Sequence, residues 1–144
     1  MRKIVIILVG LILIGCKSTQ PKNSENVKSE INLILNDWHK AAAEANFEAY
    51  FGAMSEDAIY IGTDPTENWN KPAFIKFAKP YFDRGKAWNF TALERNIYFS
   101  TDKKTAWFDE LLDTQMKICR GSGVLIKVKN KWKVRNSFFS NAMN

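Results

Sequence analysis

Residues 105–140 read TAWFDELLDTQMKICRGSGVLIKVKNKWKVRNSFFS, and this stretch decides the fold. Residues 105–113, 117–129 and 132–140 are rich in β-branched and aromatic side chains and read as three strands. Asn130-Lys131 is a tight connection between the last two. Just upstream, residues 88–100 alternate in part, and Thr101-Asp102-Lys103-Lys104 reads as the turn that leads into the first of the three. Strands joined by links this short are antiparallel neighbours, since a parallel pair needs a crossover of a dozen residues or more.

The first half of the chain is predominantly helical in pattern. Val27, Ile31, Ile34, Leu35, Trp38, Ala42 and Ala45 fall at helical spacing and predict one long amphipathic helix from about Asn26 to Ala45. Asn46 can cap a second, short helix carrying Phe47, Tyr50, Phe51 and Met54. Residues 57–63 (DAIYIGT) read as a strand that ends in the turn Gly62-Thr63-Asp64-Pro65. Asn70 ahead of Lys71-Pro72 starts a third helix, which Pro80 should kink or shorten and Gly85 can close. Helices gathered before an antiparallel run indicate an α+β fold with the helices packed on one face of a curved sheet.

The amino terminus carries an address. Residues 1–16 (MRKIVIILVGLILIGC) begin with Arg2 and Lys3 and continue as an apolar run. The run is too short for a transmembrane helix of about 20 residues and reads as a secretory signal. Its end, Leu13-Ile14-Gly15-Cys16, resembles the bacterial lipobox, in which the Cys is diacylated and becomes the first residue. The expected organisation is therefore a signal peptide over 1–15, a lipidated Cys16 with a polar tether over 16–26, and one domain over 27–144. The protein is expected in the cell envelope, held on a bacterial membrane through Cys16. With Cys16 acylated, Cys119 is the only thiol left, and no disulfide is available.

Composition narrows the chemistry. The 144 residues are 46% hydrophobic and 13% aromatic, which is globular. One His and two Cys cannot supply the four ligands of a structural zinc site, and no Gly-rich phosphate loop is present, so neither metal nor cofactor is expected. The net charge is +6, and it is polarised. Residues 117–135 hold seven basic side chains and no acid, whereas residues 37–67 hold seven acids and only Lys40. The basic run reads either as lysines that protect a solvated hairpin edge or as a surface for anionic lipid headgroups. An exported lipoprotein is not expected to bind nucleic acid.

Four strings, in order, carry a family resemblance: Asn46-Phe47-Glu48-Ala49-Tyr50; Tyr60-Ile61-Gly62-Thr63-Asp64-Pro65 with Glu67 and Trp69; Ala106-Trp107-Phe108-Asp109-Glu110-Leu111; and Gly121-Ser122-Gly123-Val124-Leu125 leading to Lys131-Trp132-Lys133-Val134. Residues 27–140 resemble the SnoaL-like group of the nuclear transport factor 2-like superfamily. The same strings are similar to the association domain of calcium/calmodulin-dependent kinases. The resemblance implies a conical α+β fold, a pocket between helices and concave sheet, and frequent homodimers. It implies no single activity, because members include cyclases, isomerases, dehydratases and non-catalytic proteins.

Adjacent Asp109 and Glu110 must point to opposite faces of a strand. By resemblance, Phe108, Glu110 and Leu112 face inward, as do Arg135, Ser137 and Phe139 of the last strand. An inward Glu110 is either a general base raised by desolvation or one half of a buried pair with Arg135 or Arg120. Tyr50 matches a pocket tyrosine of related domains and could donate a hydrogen bond to a carbonyl; the alternative is a core Tyr. Tyr60 and Trp69 read as the mouth wall or as loop packing. Asp64 reads as a turn residue before Pro65. His39 reads as a solvated residue off the apolar stripe. The relatives often place a His near the end of the last strand, where this chain has Asn136-Ser137-Phe138-Phe139-Ser140.

The expected pocket set is thus Tyr50, Tyr60, Trp69, Phe108, Glu110 and Arg135. The favoured function is a non-catalytic lipoprotein that binds a small, partly apolar ligand or an envelope partner. The alternative is an isomerase, cyclase or dehydratase acting on a small carbonyl compound, with Glu110 and Tyr50 as candidate catalytic residues.

Overall fold

The computed structural model describes residues 22–141. The segments expected as signal peptide and lipobox, with Cys16, lie outside the described residues. In chain order the elements are α1 (Lys22–Ala43), α2 (Phe47–Gly52), β1 (Met54–Ile61), β2 (Asn68–Asn70), α3 (Lys71–Asp83), β3 (Phe90–Phe99), β4 (Thr105–Thr114), β5 (Lys117–Val128) and β6 (Lys131–Asn141).

The strands form one six-stranded sheet in the order β2-β1-β6-β5-β4-β3. All neighbours are antiparallel except β1 and β6, which run parallel. The helices pack against this curved mixed sheet, as the α+β reading expects. Among the described residues no helix is long and apolar enough to cross a membrane.

Local signals account for most boundaries. Asn46 caps α2, accepting from Ala49 N–H at 3.1 Å, and Asn70 caps α3, accepting from Ala73 N–H at 3.0 Å. Gly85 closes α3 with φ +68°: its N–H reaches Phe82 O at 2.9 Å, and Lys86 N–H reaches Tyr81 O at 3.2 Å. That pair of bonds satisfies two end carbonyls of the helix and needs the left-handed backbone that glycine adopts freely.

Several elements differ from the sequence reading. The helix α2 ends at Gly52, so Met54, expected on that helix, instead opens β1 three residues before Asp57, and β1 ends at Ile61 rather than Thr63. The helix α1 begins at Lys22, inside the segment expected as tether, because nothing in Asn23-Ser24-Glu25-Asn26 blocks a helix. Pro80 lies inside α3, which continues to Asp83. It sits on the exposed face, where water can take the carbonyl its missing N–H leaves free. A short strand, β2, pairs with β1 through Ile59–Asn70, Tyr60–Trp69 and Ile61–Asn68. Finally, β6 bulges: Val124 pairs with Asn136 but Leu125 with Val134, so Arg135 is the extra residue. The bulge shifts the alternation by one. Trp132 and Val134 are buried before it, Ser137 and Phe139 after it, and Arg135 is exposed rather than inward.

The core lies between the helices and the concave face. Ile31, Leu35, Trp38 and Ala42 of α1 and Phe74, Ala78 and Phe82 of α3 meet Ala58, Phe108, Leu112, Leu125, Val134 and Phe139 of the sheet.

Candidate functional site

Two features occupy the interior, and they touch at one ring. The first is a charged cluster built on Glu110. Its β4 position alternates as the family resemblance implies: Phe108, Glu110 and Leu112 are buried, while Trp107 is exposed. Glu110 is completely buried. Its Oε2 accepts from Arg95 Nε at 2.8 Å, with Arg95 Nη2 at 2.7 Å. Its Oε1 lies 2.9 Å from His39 Nε2.

Arg95 faces Glu110 directly across the β3–β4 ladder. Its Nη1 also donates to α1, to Asn36 Oδ1 at 2.8 Å and Asn32 O at 3.2 Å. One guanidinium therefore ties β3, β4 and α1 together. Room for the carboxylate comes from Gly121, the β5 partner of Glu110: a Cβ there would sit 3.0 Å from Glu110 Oε1.

Burial by itself would raise the Glu110 carboxyl. The hydrogen bond and charge of His39, with those of Arg95, outweigh it and hold the carboxyl below its ordinary value. The expected partners of Glu110 lie elsewhere. Arg135 pairs with Asp57 at 2.9 Å on the surface, displaced by the β6 bulge. Arg120 stands on the outer face 4.0 Å from Asp109. His39 is buried, not solvated: it lies four residues after Leu35 and three before Ala42, so it shares their face of α1.

The second feature is a cavity of about 240 Å³ with aromatic walls. Tyr60, Phe74, Trp88, Phe90 and Phe139 line its inner part, and Trp69, Phe77 and Tyr81 its outer part. Tyr60 and Phe74 stack with centroids 3.8 Å apart, and Trp69 stacks on Phe77 at 4.4 Å. The mouth is completed by Thr63 and Glu67 of the loop after β1 and by Gln115 and Met116 of the β4–β5 turn.

Of the six residues expected at a pocket, Tyr60 and Trp69 stand on this wall, and Tyr50, Phe108, Glu110 and Arg135 do not. Tyr50 packs among Trp38, Phe82, Phe51 and Trp88 at 5.1 to 5.7 Å, and burial pushes its phenol up. Asp64 closes a turn by accepting from Thr66 N–H at 2.8 Å and Thr66 Oγ1 at 2.6 Å. Phe90 separates the two features: it lines the cavity, and its ring meets the His39 ring edge-on at 5.7 Å. Arg95, Phe77 and Phe90 escaped the sequence reading. Arg95 was legible only through its register opposite Glu110, which a bulge at Leu93 obscures.

Comparison with known proteins places this geometry. The family model of the SnoaL-like domain matches residues 31–144. No curated protein matches the chain significantly. Among solved structures, a proposed scytalone dehydratase from Novosphingobium aromaticivorans superposes with a TM-score of 0.71 at 14% identity, covering 85% of this chain and 89% of that one. An NTF2-like protein of unknown function from Pseudomonas putida gives 0.69 at 12% identity, covering 81% and 87%. The association domain of C. elegans CaMKII gives 0.68 at 17% identity, covering 83% and 99%. At these identities the likeness is one of fold.

Proposed function

We propose, from the premise that this chain belongs to the SnoaL-like domain family within the NTF2-like superfamily, that it is an envelope lipoprotein whose domain binds a small, largely apolar ligand without transforming it. The observation that carries this reading is the aromatic-walled cavity, with the Glu110 cluster held outside its walls. Proton abstraction needs a base within hydrogen-bond reach of substrate. Glu110 is fully buried behind that wall, and Arg95 and His39 take up both its oxygens. A small site lined by apolar rings, with a few polar groups at its mouth, suits ligand capture.

The anchoring part of the proposal rests on the lipobox at Cys16, and the domain's polarity supports it. Lys103, Lys104, Lys127 and Lys129 gather at the hairpin ends. Ser24 and Lys28 of α1 lie beside residues 97–101 and Lys103. The helix following the lipobox thus begins near the lysine-rich end, which favours an anionic lipid surface. The outer sheet face exposes Trp107 and Tyr98, stacked at 5.9 Å, and Phe138, a surface suited to a homodimer.

Native mass spectrometry of protein taken gently from its source membrane tests ligand capture. A retained small molecule that Phe74→Ala releases supports it; turnover of that molecule by the wild type contradicts it. Fatty-acid labelling that marks the wild type and not Cys16→Ser tests the anchor. Sedimentation of Trp107→Glu beside the wild type tests the dimer.

A further inference from the structure

We infer that the cavity selects an organic cation: a small molecule carrying an ammonium nitrogen on a compact apolar body. The inference rests on the ligand-binding reading above and names the ligand class. Among the described residues, Glu67 is the only charged side chain on the wall. Among the described residues no Lys, Arg or His lies within ion-pairing distance of it. Among the described residues its Oε2 accepts only from Asp64 N–H, at 3.2 Å, so the carboxylate is oriented but has no countercharge there.

The local backbone is shaped to hold that carboxylate at the cavity edge. A Cβ on Gly62 would lie 2.0 Å from Glu67 Oε2, so the absence of a side chain at 62 lets the carboxylate lie against the end of β1. Gly62 N–H also donates to Glu67 O at 2.9 Å, fixing the loop. The Tyr60 phenol, raised by burial and further by the Glu67 charge, stays neutral and carries no charge of its own.

The rest of the wall is aromatic, and aromatic faces attract cations. The protein already uses one of these rings in that way: Arg84 stands 4.9 Å from the centroid of Tyr81. An ammonium at the Glu67 end, near Tyr60 and Trp69, gains a countercharge and ring contacts together. An anionic ligand would meet Glu67 with no basic partner on the wall. A neutral apolar ligand would fill the space and leave the carboxylate unpaired.

The test titrates the full-length chain with benzyltrimethylammonium and with its neutral isostere neopentylbenzene, following tryptophan fluorescence and ligand-observed NMR. The expected result is that the cation binds at least tenfold more tightly. Glu67→Gln should shrink that gap to about twofold with the unfolding midpoint unchanged, and Gly62→Ala, which displaces the carboxylate, should do the same. If the neutral isostere binds as well as the cation, or if both variants keep the gap, the cation assignment falls while the ligand-binding reading stands. If neither probe binds up to its solubility, both fall.

Discussion

The interior holds two regions that meet at Phe90 and obey opposite rules. On one side, Glu110, Arg95 and His39 bring charge into the core and leave little of it unpaired. On the other, rings from β1, β2, α3, β3 and β6 wall a cavity with apolar surface. A buried carboxylate survives only with partners, so the first region reads as architecture. Apolar rings around a solvent-reachable cavity with few polar groups are the lining that ligand sites have, so the second region is the one on which the proposed binding rests. The group with the most reactive chemistry on paper is thus the one least able to reach a ligand.

The sharpest way to break this contrast is Glu110→Gln. It leaves the Arg95 charge buried without a countercharge and should destabilise the domain by about 3–5 kcal/mol. Chemical unfolding checks it, and a loss under ~1 kcal/mol would make the cluster dispensable. Gly123→Ala comes next. Its Cβ would lie 2.3 Å from Asn136 O and 2.7 Å from the Phe108 ring, so the β5–β6 pairing must shift. A loss of about 1–3 kcal/mol in urea titration is expected for such overpacking.

Acid sharpens the same comparison. Because the Glu110 carboxyl is lower in the folded state, its stabilisation is complete above the ordinary value of about 4.5 and is lost as pH falls below it. The urea midpoint of the wild type should fall as pH drops below that value, and Glu110→Gln should fall less steeply. On the cavity side, Trp69→Ala, at a half-buried mouth position, should weaken binding of benzyltrimethylammonium about tenfold while moving stability little. Smallest of all is Asp57→Asn. Its pair with Arg135 is half exposed on both sides, so the cost should stay under ~0.5 kcal/mol.

The fold was legible because its signals are local. Asn46 and Asn70 cap the helices and Gly85 ends α3, while β4 alternation separates Asp109 from Glu110 and the family resemblance, not the alternation, indicates that Glu110 is the inward one. The site was less legible because its determinants are long-range or break periodicity. Parity carried along β6 fails at the bulge and misplaces Arg135. His39 is polar on a helix face whose apolar residues hide it, and only its contact 71 residues away explains its burial. Three-residue β2 is too short to show a period, yet it sets Trp69 beside Tyr60, with centroids 6.2 Å apart. Tyr60 and Trp69 were visible as wall residues because they flank one turn; Phe77 and Phe90 come from distant elements that only the fold unites.

The most direct test of the central claim compares stability and ligand affinity in one variant. Glu110→Gln, or Arg95→Met/Glu110→Leu should the single change prevent folding, is titrated with benzyltrimethylammonium beside the wild type. The account predicts a dissociation constant within about twofold of the wild type despite the loss of the charged cluster. A folded variant that no longer binds the probe would contradict it and return Glu110 to the site.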